Sequence, residues 1–507
     1  MMLIGPVVAI VLTWLTGHAL VTWLRGSDAR MAGDRVLDIL LSMGAGLCLS
    51  SLGFYAARLL NWTSLPAVLA VDLLILAAVV LLRWCLPSAR REPARSARPL
   101  ESEPGATCRL LHLALGVSAI AGIVLMSTLY TLAELGFWDA FAIWNLKAKF
   151  LVCEGPAWQQ VFSDLISWSH TDYPLLLPLN VARLWIYTGE PASLVSAGLS
   201  ILFTMLIVGS LYAGVARVRG RVQGCLAALA LLATSGFVRQ GANQVADLPV
   251  AFFLLAALCT LSFSFPTAST STATSPNEGI CHGRHVVLTG LLIGAAAWTK
   301  NEGALIALAL LASMLLVALR NGGMGRAVAG TGILLLGLAL PLVCIATLKL
   351  GFSGRSDLFV EPGTGTLLER MVDGSRHWTI LTFAGGLIWD WVGGTLLVVL
   401  LVFAVISGRV RDKSNRPLIA SVATTVFLTV AGYYVVFVLT PRDLQWHLST
   451  AADRLMVQVW PSALFLLFIA SGLGSSLRVP ESSLAPERRQ PPTARTSGAG
   501  PPGLDSP

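Results

Sequence analysis

The chain has 507 residues, 55% of them hydrophobic and only 12% charged, with a mean hydropathy of +0.73. Soluble domains carry about 25% charged residues, so this composition excludes an ordinary soluble enzyme and points to one polytopic membrane domain. The formal net charge of +8 does not indicate a nucleic-acid partner, because the basic residues fall in short loops and the tail rather than on a face interleaved with aromatics.

The opening apolar run lacks a basic n-region and outlasts a signal-peptide core, so it reads as a first span. A crossing needs ~20 apolar residues. Runs that meet or approach this cover 2–24, 36–59, 63–85, 110–132, 192–214, 222–242, 247–265, 285–299, 302–320, 327–349, 389–408, 417–440 and 455–475, thirteen in all. The fold expected is all-α and polytopic, with about 13 transmembrane helices and juxtamembrane helices in the first long outer loop. It divides into three N-terminal helices with a basic loop (1–109), a membrane core (110–475) and a tail (476–507). The low-complexity stretch 266–278 and the Pro/Ser/Arg-rich tail read as solvated connectors.

Loop charge sets the orientation. Arg90, Arg91, Arg95 and Arg98 cluster in one loop, Arg217, Arg219 and Arg221 in another, and Arg409, Arg411, Lys413 and Arg416 in a third. All three fall in the cytoplasm when the N-terminus is outside and the C-terminus inside. Segment 174–188 is apolar but short and carries Arg183. Counting it as a span would reverse every later loop, so it is taken as juxtamembrane or re-entrant, a form tolerated where it packs on protein. The polar stretches 133–191, 350–388 and 440–454 then share the outer face with the turns at Asp247 and Lys300.

The eight cysteines, Cys48, Cys85, Cys108, Cys153, Cys225, Cys259, Cys281 and Cys344, form no close pair, which argues against a zinc site or a disulfide framework. Asp72 and His112 lie within apolar runs with no evident partner and read as packing contacts rather than a proton relay.

The first outer loop holds Gly136-Phe-Trp138-Asp139-Ala-Phe141-Ala-Ile-Trp144-Asn-Leu-Lys147-Ala-Lys149. If it is an interfacial helix, Trp138, Phe141 and Trp144 recur every three residues and lie at headgroup level. Asp139 would then sit just above the hydrocarbon, where desolvation raises basicity and suits removal of a hydroxyl proton. The competing reading is a solvated charge. Lys147 and Lys149 could bind phosphate, but snorkelling anchors are the commoner case. His170, Asp172 and Tyr173 could meet a sugar hydroxyl or a metal, or simply form the turn before Pro174.

Asp247, after Asn243 and Gln244 and before Pro249, could be a helix cap, or a second acid that positions the acceptor or a divalent ion. No other cofactor is called for. Lys300 could neutralise a phosphate with Glu302 holding it, or the two could be a self-satisfied pair. Arg442, His447 and Arg454 add further phosphate-binding groups, although Arg454 could equally pair with Asp453.

Three stretches carry a family resemblance: Gly136-Phe-Trp-Asp139, Ala246-Asp247-Leu-Pro249, and Gly290-Leu-Leu-Ile-Gly294-Ala-Ala-Ala-Trp-Thr-Lys300-Asn-Glu302-Gly303. Their order and spacing from about 110 to 475 resemble the GT-C superfamily of polyprenyl-phosphate-sugar-dependent glycosyltransferases. The likeness is to the bacterial branch related to protein O-mannosyltransferases and lipid A aminoarabinose transferase. It implies that Asp139 is the first-loop catalytic acid, Asp247 a second site acid and Lys300 a neighbour of the donor phosphate. It also implies transfer from a lipid-phosphate sugar to a glycan, lipid or protein acceptor, usually with inversion, on the outer face of the bacterial inner membrane. Two departures stand out. Asp139 is followed by Ala140 where the mannosyltransferases have paired acids, and three helices precede the core. A transporter or flippase of lipid-linked sugars is the rival expectation.

Overall fold

The computed structural model describes residues 4–26, 33–86, 105–264, 278–354, 366–408 and 414–472. The basic loop around Arg90–Arg98, residues Arg409, Arg411 and Lys413, nearly all of 266–278 and the tail 476–507 lie outside these. Every regular element is helical, and there is no strand among the described residues.

In chain order the α-helices are α1 (Ile4–Arg25), α2 (Asp34–Leu59), α3 (Leu65–Cys85), α4 (Ala106–Leu132), α5 (Asn145–Leu151), α6 (Leu176–Thr188), α7 (Ser193–Arg219), α8 (Arg221–Leu232) and α9 (Ser235–Ala242). They continue with α10 (Asp247–Leu261), α11 (Glu278–Thr299), α12 (Asn301–Gly351), α13 (Leu367–Val372), α14 (Gly374–Val392), α15 (Gly394–Ser407), α16 (Arg416–Leu439) and α17 (Leu444–Ala470). Among the described residues nine helices are long and apolar enough to cross a membrane, and two bent pairs meet the same test jointly.

The thirteen expected spans are not reproduced one for one. Residues 222–242 form α8 and α9, bent by 68°. Helices α14 and α15 meet at 96° across Gly393, whose φ of 87° few other residues adopt, so part of the expected loop 350–388 is helical. Helix α12 runs through two expected spans. Straight, its 51 residues would reach about 76 Å. Yet Lys349 Nζ, near its end, lies 3.1 Å from Asn301 Oδ1 at its start. The chain therefore doubles back, and the break is at Gly323 (φ 75°, ψ 177°).

Helix α10 is apolar all round and every one of its residues is buried, with α7, α11 and α17 packed about it. Helix α4 is the opposite. Leu110, Leu113, Val117, Ile120 and Val124 are exposed along it and only Cys108, Gly122 and Met126 are buried, as suits a lipid-facing surface. His112 bonds Tyr212 Oη (2.8 Å) and the Cys108 carbonyl (2.7 Å), a packing contact as expected.

Helix α6 has 13 residues, about 20 Å against a hydrocarbon core of about 30 Å. It lies buried against α1, α2 and α3. The expectation for Asp72 needs correcting here, because its partner is Arg183 on α6. Nε donates at 2.9 and 3.0 Å, Nη2 lies 2.9 Å away, and Tyr187 Oη adds a 2.6 Å bond. Arg183 also reaches the Ala9 carbonyl at 3.2 Å, and Asn180 the Leu47 carbonyl at 3.2 Å. The first three helices thus hold the short helix that follows the first long loop.

Candidate active site at one end of the bundle

After α4 the chain turns at Gly136 (φ 72°), where a Cβ would strike Ala140 and the Asn243–Gln244 backbone and side chain. Phe137 N approaches the Asn243 carbonyl at 3.4 Å, and Gln244 Nε2 the Glu134 carbonyl at 3.2 Å. The loop is thereby seated on the turn between α9 and α10. Ala140–Trp144 then form a π-helical turn leading into α5. Such a turn adds a residue per repeat and often occurs at functional sites. Trp138 (60% exposed) and Phe141 stay outside, edge to face, while Trp144 is rotated into the core. The expected three-residue aromatic stripe therefore ends at Phe141.

Asp139 is ion-paired with Arg454 of α17, with side-chain exposures of 16% and 22%. One turn further along α17, Gln458 donates to Asp247 Oδ1 at 2.5 Å and accepts from Tyr433 Oη at 2.6 Å. Lys300 Nζ lies 2.9 Å from the same Asp247 oxygen and 2.8 Å from Glu302 Oε1. Burial works against the Lys300 charge, but the two carboxylates outweigh it and hold the ammonium well above the ordinary lysine range. Asp247 Oδ2 and Glu302 Oε2 are buried without a hydrogen-bond partner. Asp453 does not pair with Arg454 and instead accepts from Gln240 at 3.0 Å. Asn243 in turn donates to Gln240 at 3.0 Å.

A second lobe joins Lys300 through Tyr173, whose ring lies 5.8 Å from Lys300 Nζ and 5.6 Å from Lys147 Nζ. That ring stacks between Trp144 (5.8 Å) and His170 (4.6 Å), and burial together with the Glu302 charge raises its phenol pKa. Lys147 corrects the anchor expectation, since it is buried and donates to the His170 carbonyl at 2.6 Å. Burial lowers its pKa to about 7. Lys149 stays exposed. Asp172 accepts from Asn301 at 2.6 Å and faces Lys349 at 3.8 Å, and Lys349 also donates to the Asp172 carbonyl.

The structure thus brings Asp139, Asp247, Lys300, Glu302, Arg454, Lys147, His170, Asp172, Tyr173 and Asn243 to one end of the bundle. It does not bring Arg442 and His447 there. Arg442 lies over the Trp446 ring (5.4 Å), and His447 bonds Thr440 Oγ1 at 2.9 Å, two turns before Arg454. Gln458, Tyr433 and Lys349 were not singled out from sequence. A Gln four residues after an Arg in an apolar helix was the available signal for the first.

Chemically, the cluster offers a carboxylate held by a guanidinium beside two carboxylates that share one ammonium. Asp247 suits a divalent ion poorly, because its nearest groups, Lys300 and Gln458, are both donors. Among the described residues no three His, Cys, Asp or Glu side chains converge on a metal position. No family model, curated protein or solved structure matches the chain.

Proposed function

We propose that this chain is an integral-membrane glycosyltransferase that moves a sugar from a polyprenyl-phosphate donor to an acceptor hydroxyl of a glycan, lipid or protein. The observation that carries this reading is the junction on α17. Arg454 and Gln458, one turn apart, tie Asp139 to Asp247 and Lys300, joining in one place the residues that carry the resemblance to GT-C enzymes.

Asp139 is the general base. It takes the acceptor O–H proton as that oxygen attacks the anomeric carbon. The bond from that carbon to the phosphate oxygen breaks, and the polyprenyl phosphate leaves with the electron pair and inverts the centre. Arg454 and Lys300 are the cations nearest the departing phosphate. Each is already paired with a carboxylate, so the donor phosphate competes with Asp139 for Arg454, and its arrival frees Asp139 to accept a proton. Asp247 and Glu302 keep Lys300 charged while it waits. The site works at the outer face of a bacterial inner membrane, away from cytoplasmic nucleotide sugars, with the N-terminus on that side.

The test is sugar transfer by purified protein in lipid vesicles. Asp139→Asn lowers turnover about 100-fold or more, the scale of a lost general base, while donor binding persists. Transfer at the wild-type rate would remove Asp139 from this role. The bent pairs α8–α9 and α14–α15 are the one feature that favours a transporter of the same lipids, since such proteins use broken helices. Lipid translocation without transfer in those vesicles would select that reading.

A further inference from the structure

The stretch that carries Asp139 and the turn that carries Asp247 meet over a small cavity. Trp144, Asn145, Ser196, Ser200 and Gln244 form its polar lining, and the remainder is apolar side chain. Every lining residue is buried and none is charged. The cavity leaves about 10 Å³ for the centre of a water-sized molecule, which is room for one.

Two of the lining side chains carry polar atoms without a partner. Trp144 Nε1 bears an N–H with no acceptor, and Gln244 Oε1 has lone pairs with no donor. At 1% and 4% exposure, neither residue reaches bulk water. A buried polar atom left so costs its desolvation, and such atoms are few in folded proteins. Here the two needs are complementary and belong to one cavity. The Gln244 amide is oriented from its other end, where Nε2 donates to the Glu134 carbonyl at 3.2 Å. Gln244 also holds a left-handed backbone (φ 56°), a conformation that persists in a side-chain-bearing residue only where surrounding contacts impose it.

The two serines supply further acceptors. Ser196 Oγ donates its proton to Asn145 Oδ1 (2.6 Å), and Ser200 Oγ donates to the Gly241 carbonyl (2.8 Å). Each hydroxyl keeps lone pairs for a second bond. One donor and several acceptors thus surround a single position, and three bonds are the usual number for a buried water.

We propose that this cavity is the binding site of one buried water. The water accepts from Trp144 Nε1, donates to Gln244 Oε1 and gives its second proton to the Oγ of Ser196 or Ser200. The neutral lining disfavours an ion, and the volume excludes anything larger. Trp144 lies five residues after Asp139 and Gln244 three before Asp247, so the water closes the joint between the two acids' segments. The site does not rest on the transfer reading, because the same two atoms need a partner whatever the acids do.

The test is a cryo-EM map of the full chain in lipid nanodiscs, at a resolution that shows buried waters elsewhere in the protein. The expected peak lies about 2.6–3.2 Å from both Trp144 Nε1 and Gln244 Oε1. A double-mutant cycle of Trp144→Phe and Gln244→Leu, read by melting temperature, is the second measure. Residues that share one water are coupled, so the double variant falls by less than the sum of the two single falls, whereas unconnected residues add. A map with other buried waters and none here overturns the proposal, and so do losses that add. The map needs no variant and decides alone if either substitution prevents folding.

Discussion

The two ends of α10 each carry buried charge and handle it differently. Beyond its C-terminus, Arg25 and Arg217 approach Asp34 at 3.5 and 2.5 Å, and Arg25 also meets Asp38. Both guanidiniums lie over the Phe263 ring, at 3.7 and 4.0 Å. Arg219 closes the end of α17 through the Ile469 carbonyl at 2.9 and 2.6 Å. Here planar, weakly hydrated cations face two carboxylates through overlapping contacts, and the atoms left over are the Arg25 and Arg217 Nε nitrogens beside an aromatic face. At the N-terminus of α10 the cation is a lysine shared by two acids, and the atoms left over are carboxylate oxygens. One end is a fastener with redundant contacts. The other keeps unused acceptors beside a movable ammonium, which is how sites rather than joints are built.

Substitutions can break or sharpen this contrast. The largest effect belongs to Lys300→Met, which strands the buried Asp247 carboxylate beside the half-buried Glu302 and costs about 3–5 kcal/mol, read as a fall in melting temperature in detergent. Adding Asp247→Asn recovers part of that fall if the shared ammonium is its cause. A Lys300→Met protein that melts like wild type would erase the difference between the ends. Arg217→Met should cost less, about 1.5–2 kcal/mol, because Arg25 still faces Asp34. An equal loss in both variants would mean that the second arginine gives no redundancy.

A pH dependence from Lys147 gives a further test. Its pKa is lowered from 10.5 to about 7 in the folded protein, so the unfolded chain binds the proton more tightly. Folding is therefore penalised below about pH 7, and the penalty is relieved as pH rises through 7 toward the ordinary lysine range. The wild type should gain melting temperature between pH 6.5 and 9 relative to Lys147→Met. An identical pH profile in the two proteins would show that Lys147 stays charged.

The residues of this end were legible in the sequence where a polar group interrupts an apolar run. Asp139, Asp247, Lys300 and Arg454 stand out for that reason, and loop charge together with span length, with 174–188 taken as non-spanning, puts them on one face. What escaped depended on rotation and on distant pairing. A period of three assumes α-helix, and the π-turn at Ala140–Trp144 carries Trp144 and Lys147 inward from where that period points them. Asp72 looked solitary because Arg183 lies 111 residues later, in a segment too short to read as a span. Gln458 and Tyr433 are neutral, and neutral residues within spans raise no charge signal.

The clasp between α3 and α6 bears on how the protein can be taken apart. A chain begun at α4 would keep Arg183 and Tyr187 but lose Asp72 and the Ala9 carbonyl, leaving a guanidinium in an apolar wall. The first three helices are in that sense the counterpart of a buried charge in the core. Trimming them without also replacing Arg183 by an apolar residue removes the support beneath the loop that carries Tyr173.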